Sequence, residues 1–380
     1  MAGSVESPVT VRRNSREKAK RYNRIRIILS LLETFFLFAF VVVIVLSGLS
    51  RIVAELALGV TDNTYLALLM FAAAFGLLEI VALLPLAFYS GFILEHKYDL
   101  SNQSVGRWVW EKGKSVLVSI PIVVPILLVF YFFLRELANL WWLPVSVIVF
   151  LFSVVLARLA PTLIFPLFYK FTPLEEGSLR ERILRLCTDV GLRVEGVFSF
   201  NMSKNTKKAN AGFTGVGKSK RIILSDTLLT NFTEEEIETV FAHELGHYKR
   251  GHIWKGILTG MVSTFAGLFL TAQLYGASLS WFGFTRVDDL AALPVLSIWL
   301  GIYGLVTSPL NNALSRRFER EADQFALGKT NNPDAFVSTM KKLAEQNLAD
   351  VSPHPIVEFL FYSHPSIEKR LRFAESFEQR

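Results

Sequence analysis

Thr233-Glu234-Glu235-Glu236-Ile237-Glu238-Thr239-Val240-Phe241-Ala242-His243-Glu244-Leu245-Gly246-His247-Tyr248-Lys249-Arg250 is a charged, helix-forming stretch set among long apolar segments of a 380-residue chain. Thr233 followed three residues later by Glu236 is a capping-box pattern, and acids in the first turn suit the positive end of a helix. The spacing predicts a helix over 234–250. Two histidines four residues apart share one helical face, so both imidazoles can reach a single zinc ion at about 2.0–2.1 Å. Glu244 projects to the same side and can take the proton of a metal-bound water as that water attacks a carbonyl. A protease that cleaves within the bilayer carries the same motif inside an apolar span. Residues 233–238 are too charged for hydrocarbon, which excludes that reading.

Around this helix the chain is unusually apolar: 52% of its residues are hydrophobic, and its mean hydropathy is +0.39. Soluble domains are not built this way. A membrane span needs about 20 largely apolar residues to cross roughly 30 Å of hydrocarbon, and six stretches qualify: 27–47, 65–89, 116–133, 141–157, 257–275 and 290–310. The first follows too long a basic segment to be a cleaved signal peptide. That segment carries Arg12, Arg13, Arg16, Lys18, Lys20, Arg21, Arg24 and Arg26, which places the N-terminus in the cytosol. An even number of spans returns the C-terminus to the same side. The outer segments then carry only Arg51, Arg135 and Arg286.

A formal charge of +7 could suggest nucleic acid. The basic residues flank the spans, however, and an anionic lipid surface accounts for them without a nucleic-acid partner. Cys187 is the sole cysteine and reads as a small buried hydrophobe, so disulfides and cysteine zinc sites are excluded within one chain. Glu79, inside the second span, marks a pathway or packing site.

The chain divides into a basic cytosolic tail (1–26), a four-span membrane region (27–169) with a cytosolic loop (90–115), a first catalytic part (170–256), two further spans (257–310) and a second catalytic part (311–380). In the first catalytic part, 197–202, 212–214 and 221–224 read as strands of a small antiparallel sheet. Gly215, Gly217 and Lys218-Ser219 supply its turn.

A catalytic zinc takes three protein ligands and leaves a fourth position for water. The metzincin continuation is excluded, since Arg250 and Ile253 stand where Gly and His would be needed. A glutamate on a second helix is the alternative, and Arg316-Arg317-Phe318-Glu319-Arg320-Glu321-Ala322-Asp323 offers it. Glu319 and Asp323 are one turn apart, so one can bind the ion while the other orients a ligand histidine. Asp323 suits the orienting role, because a carboxylate accepting the second N–H of an imidazole fixes its tautomer. Glu321 reads as a surface charge, and His252 as an interfacial histidine that is not a ligand. A membrane scaffold or transporter would explain the spans but not this constellation.

These residues resemble the CAAX prenyl protease 1 family, integral-membrane zinc endopeptidases with bacterial and archaeal relatives. Further stretches carry the likeness: Phe92-Ile93-Leu94-Glu95-His96-Lys97-Tyr98-Asp99-Leu100-Ser101-Asn102-Gln103, and Pro161-Thr162-Leu163-Ile164-Phe165-Pro166-Leu167-Phe168-Tyr169-Lys170-Phe171-Thr172-Pro173-Leu174. Asn210-Ala211-Gly212-Phe213, Lys220-Arg221-Ile222-Ile223-Leu224-Ser225-Asp226-Thr227-Leu228-Leu229 and Ser363-His364-Pro365 complete it. The resemblance implies a multi-pass α-helical membrane protein with a cytosolic α+β, zincin-like (gluzincin) catalytic domain. It implies one zinc per chain on His243, His247 and Glu319, with Glu244 as catalytic base. It also implies His364 beside the tetrahedral intermediate, and Asn210 and Ala211 on an edge strand that aligns the substrate.

The expected substrate is a peptide or protein, prenylated or membrane-associated, losing its C-terminal tripeptide. A quality-control protease of the heat-shock type, indifferent to prenylation, is the alternative. The active site and both termini are expected in the cytosol, at the plasma (inner) membrane of a bacterium or archaeon or the endoplasmic reticulum of a eukaryote. Eukaryotic members of the family have an additional N-terminal span, so a chamber here would be shaped differently.

Overall fold

In hydrocarbon a backbone N–H or C=O finds no partner outside its own segment, and the apolar stretches fold accordingly as long helices. The computed structural model describes residues 8–214 and 221–378. Its first part holds α1 (Pro8–Leu46), α2 (Leu49–Val60), α3 (Thr64–Phe88), α4 (Leu94–Lys97), α5 (Val105–Leu137), α6 (Trp142–Leu163) and α7 (Phe165–Phe168). Next come β1 (Phe171–Pro173), α8 (Ser178–Asp189), β2 (Gly196–Phe200), β3 (Ala211–Thr214), β4 (Arg221–Ser225), α9 (Asp226–Asn231) and α10 (Glu234–Lys249). The remainder is α11 (His252–Ser278), α12 (Leu293–Thr330), α13 (Pro333–Gln346), α14 (Pro355–Phe361) and α15 (Ile367–Glu378). Among the described residues, 6 helices are long and apolar enough to cross a membrane, those containing α1, α3, α5, α6, α11 and α12. The chain is an integral multi-pass membrane protein.

The helices extend beyond the hydrophobic stretches. The basic segment expected as a tail is helical from Pro8 and continuous with the first span. One side of it is buried, Ala19 and Tyr22 packing with Leu94, Tyr98, Leu100 and Leu348. Similarly, Ser104 caps α5 by accepting the Arg107 N–H, so much of the expected loop 90–115 is helix. Segment 48–64 contains α2, whose buried face is Ser50, Ala54 and Ala57. No break occurs at the expected boundary near 310, because α12 runs on through both parts.

The sheet is mixed, which corrects the antiparallel expectation. Its order is β1-β2-β4-β3, with β2 and β4 parallel in the register Gly196↔Arg221 to Phe200↔Ser225. β4 inserts between β2 and β3, so the antiparallel β3–β4 pair, Ala211↔Leu224 to Thr214↔Arg221, leaves β3 at the edge. The unforeseen β1 pairs antiparallel with β2, Phe171↔Phe200. The expected turn residues Gly215, Gly217, Lys218 and Ser219 lie outside the described residues.

Besides the small cluster around Tyr22, two larger cores hold this arrangement. One gathers one end of the membrane helices, with Val41, Leu68, Phe71, Leu134, Trp141, Tyr275 and Val295. The other joins the sheet to α8, α10, α12 and α13 through Ile183, Ile222, Leu224, Phe241, Leu245 and Phe336. Cys187 is buried in this second core, as expected. The membrane helices line an open cavity of about 950 Å³ with Val123, Leu127, Gly260, Ser263, Asn311 and Phe318, among others. Glu79 lines a smaller apolar cavity with Phe38, Phe75 and Ser297.

Candidate metal centre and active site

The capping box forms as expected: Thr233 Oγ1 accepts the Glu236 N–H at 3.3 Å, and Glu236 Oε2 accepts the Thr233 N–H at 2.8 Å. Glu236 is itself held by Ser338 and Lys342, which ties the start of α10 to α13. Further along, α10 presses on α12 at Gly246. A Cβ there would meet Ala322 Cα at 3.0 Å and Phe325 Cβ at 3.1 Å. Glycine inside a helix costs about 0.5–1 kcal/mol relative to alanine. Here it permits the approach that sets Glu319 and Asp323 against the histidines.

His243, His247 and Glu319 offer ligand atoms that all lie within 4.8 Å of one another. His243 Nε2 is 3.2 Å from Glu319 Oε2, and His247 Nε2 is 3.3 Å from Glu319 Oε1. Behind His243, Nδ1 lies 2.9 Å from Asp323 Oδ1, while Arg370 donates to both Asp323 oxygens at 2.9 and 2.5 Å. A carboxylate so paired is an acceptor, so a proton sits on Nδ1, and in the neutral imidazole that a metal requires the Nε2 lone pair faces the cluster.

Two imidazoles and a carboxylate are a donor set that zinc accepts, and a further observation fits it. Glu319 Oε2 is buried and has no hydrogen-bond donor, a costly condition unless a cation satisfies it. Burial alone would raise the Glu319 carboxyl, but the two histidines outweigh it and hold the group far below the carboxylate range. Burial likewise opposes charge on His243, and Asp323 with Glu319 overrides that, raising its pKa to about 9. The cluster therefore favours a positive charge.

A small cavity beside it, about 210 Å³, is lined by Asn210, Ala211, His243, Glu244, Glu319 and His364 together with apolar neighbours such as Leu228 and Met340. Glu244 is half-buried, and that burial raises its pKa despite the opposing histidines. His364 reaches in from the turn before α15, its Nε2 3.4 Å from Glu319 Oε1. Asn210 leads into the edge strand: Ser225 N–H donates to its carbonyl at 2.9 Å, and its side chain accepts the Ala211 N–H at 2.9 Å. The preceding segment is fastened to the loop after α4 by Asn102 N–H to Asn205 O at 3.1 Å and Lys207 N–H to Leu100 O at 3.0 Å. This is the place of the Phe92-to-Gln103 motif: its end holds the segment that leads into the edge strand.

The family model of peptidase family M48 matches residues 173–378. A second, described as the CAAX prenyl protease N-terminal region with five membrane helices, matches 9–170. The chain belongs to the CAAX prenyl protease family of M48 peptidases. With the His/His/Glu cluster, this family membership makes the chain a zinc metalloendopeptidase. Four of its spanning helices lie within 9–170, where α2, at 12 residues, is too short to be a fifth. The Bacillus subtilis metalloprotease YhfN is 32% identical over 337 residues, covering 88% of this chain and 79% of that protein. CAAX prenyl protease 1 of Saccharomyces cerevisiae is 31% identical over 310 residues, covering 76% and 67%. The crystal structure of S. mikatae Ste24p superposes with a TM-score of 0.86 at 25% identity, covering 95% of this chain and 89% of that one.

In this M48 peptidase three side chains do more than the sequence suggested. Arg370, which sequence reasoning missed, is buried against Asp323 and His243. Its signal was an arginine on the apolar face of a helix, between Ile367 and Leu371 on one side and Ala374 on the other. His252, the first residue of the spanning helix α11, stays outside the ligand cluster, and its ring is buried in the protein. Glu321 does point away from the cluster, yet it is a partner of His252, Lys255 and Arg317 rather than a lone surface charge.

Proposed function

We propose that the chain hydrolyses a peptide bond of a membrane-associated protein, with one zinc ion held by His243, His247 and Glu319. The observation that carries this reading is the cavity in which the His/Glu cluster, Glu244, His364 and the edge of β3 meet. A bound zinc supplies Lewis-acid chemistry, polarising water and the scissile carbonyl. Glu244, its basicity raised by burial, takes the proton of the attacking water and delivers it to the leaving amine. His364 donates toward the developing oxyanion. Asp323, held by Arg370, keeps His243 in the ligating tautomer, and Asn210 with Ala211 presents backbone groups to an extended substrate.

The reading extends to removal of the C-terminal tripeptide of prenylated proteins. The name of the yeast relative supports this, as does the large apolar cavity one turn from the ligand cluster: Ser315 and Phe318 line it just before Glu319 on α12. A lipid chain could lodge there while the peptide reaches the cluster. The basic residues before the first span, and their scarcity in the outer segments, support a cytosolic site and cytosolic termini. The division into two catalytic parts interrupted by two spans belongs to the same proposal.

The test compares prenylated and unprenylated versions of one peptide, with wild type and Glu244→Gln. Glu244→Gln is expected to keep its zinc and lose about 10²–10⁴-fold in turnover; full activity would sink the mechanism. Equal cleavage of both peptides would replace the CAAX reading by general membrane-protein degradation. Cysteines at Ser280 and Ser376, in a Cys187→Ser background, should label from outside only at Ser280; labelling of Ser376 would reverse the orientation.

A further inference from the structure

The two ligand histidines have different backing. His243 gives its Nδ1–H to Asp323, whereas His247 Nδ1 faces His252 Nδ1 at 3.0 Å. His252 in turn places Nε2 3.0 Å from Glu321 Oε2, and its ring stacks on Phe318, centroids 4.4 Å apart at 12°. Only 5% of His252 is exposed. Glu321 also receives Lys255 at 3.3 Å and Arg317 at 3.2 Å.

The placement follows from the chain's local geometry. Gly251 adopts φ +68, a left-handed conformation that other residues enter with strain. The turn it makes ends α10 and brings His252, the first residue of α11, back under His247. Helix α12 then grips the ring from both sides, Phe318 by its face and Glu321 by its edge.

A carboxylate held by two cations, Lys255 and Arg317, is ionised and can only accept. A neutral His252 therefore carries its proton on Nε2, toward Glu321, and presents a lone pair on Nδ1. That lone pair accepts the Nδ1–H of His247, whose Nε2 lone pair is thereby turned toward Glu319 and His243. We propose that His252 and Glu321 are positioning residues that fix the tautomer and ring plane of His247 for the metal, as Asp323 and Arg370 do for His243. This rests on the reading of His247 as a ligand. The chemistry is that of an outer partner orienting an inner ligand, whose removal commonly costs about 10–100-fold in metal affinity. It also couples the metal to the first turn of a membrane span.

The experiment measures zinc release from the full-length protein in detergent to a chromophoric chelator, and the visible absorption of the cobalt(II)-substituted protein. His252→Leu fills the space without an acceptor; His252→Asn places an amide oxygen near the former Nδ1. His252→Leu is expected to weaken zinc retention about 10–100-fold and shift the cobalt bands. His252→Asn should restore most of both, and Glu321→Ala should fall between. Wild-type release and spectra in the leucine variant would overturn the relay. Equal losses in the leucine and asparagine variants would also overturn it, since packing alone would then explain the effect. Should the leucine variant fail to fold, wild-type behaviour of Glu321→Ala overturns the relay instead. His247→Ala is the control: if it keeps zinc like the wild type, the ligand assignment beneath the relay fails, whatever His252 does.

Discussion

In the first half of α12 the large side chains of Leu305, Val306 and Leu310 face outward, whereas in the second half the buried positions include Arg316, Glu319 and Asp323. One unbroken helix thus presents apolar groups to its surroundings and then, a few turns on, draws charges inside. In lipid the outward face is apolar by necessity, and the inner face can be loose enough to leave a cavity. In the catalytic half every buried charge needs a partner, because an unpaired one costs several kcal/mol. Arg316 donates to the carbonyls of Glu358 at 3.0 Å and Tyr362 at 2.5 Å, tying down α14. Asp323 takes Arg370, and Glu319 faces two imidazoles. The difference teaches that helical periodicity chooses the face, while the neighbours choose what that face may contain.

The sharpest way to break the comparison is Glu319→Ala, which removes the acid that the buried half is arranged around. Zinc content by elemental analysis should fall from about one per chain to near zero, and peptide cleavage to background; retained zinc would show that the polar half is not a metal site. Asp323→Ala should follow. It leaves Arg370 buried without its carboxylate, a loss of about 3–5 kcal/mol by analogy with broken buried pairs, and it weakens zinc binding by about 10–100-fold. Thermal unfolding in detergent and chelator competition check the two parts separately.

A smaller effect is expected at the contact between the helices. Gly246→Ala should destabilise by about 1–3 kcal/mol through overpacking against Ala322, and its zinc should be released faster than in wild type. An unchanged melting temperature would mean that α10 and α12 can separate without cost. At the other extreme, Val306→Ala in the lipid-facing half should change stability by no more than about 0.5 kcal/mol and leave zinc content untouched. A large loss there would mean that this face packs on protein rather than on lipid.

Much of this is legible in the sequence. Six apolar stretches became six spanning helices, and Thr233 with Glu236 announced the start of α10. The ends of the helices were not legible, because hydropathy marks the hydrocarbon thickness and not the point where backbone hydrogen bonding stops. The basic residues before the first span continue its helix for that reason. The sheet was read as antiparallel since strand pairing is a long-range choice: β4 could have paired with β3 alone, and its parallel union with β2 depends on a crossover that no local pattern records. Arg370, too, was passed over. An arginine among apolar positions is ambiguous until its acid, 47 residues away, is in place.

The sequence by itself determined the chemistry on α10, because residues four apart on a helix share a face wherever that helix is put. It also determined the membrane class, since no other environment accepts so many apolar residues in such runs. It also offered Glu319 and Asp323, one turn apart, as ligand and orienting partner; only the tertiary structure decided that Arg370 holds Asp323 and that Glu321 supports His252. The reason is geometric. Glu319, Glu321 and Asp323 lie within little more than one turn of the same helix, and their roles differ by the direction from which α10 and α11 approach. Gly246 and the turn at Gly251 set that approach, through contacts made between residues 69 to 80 positions apart in the chain.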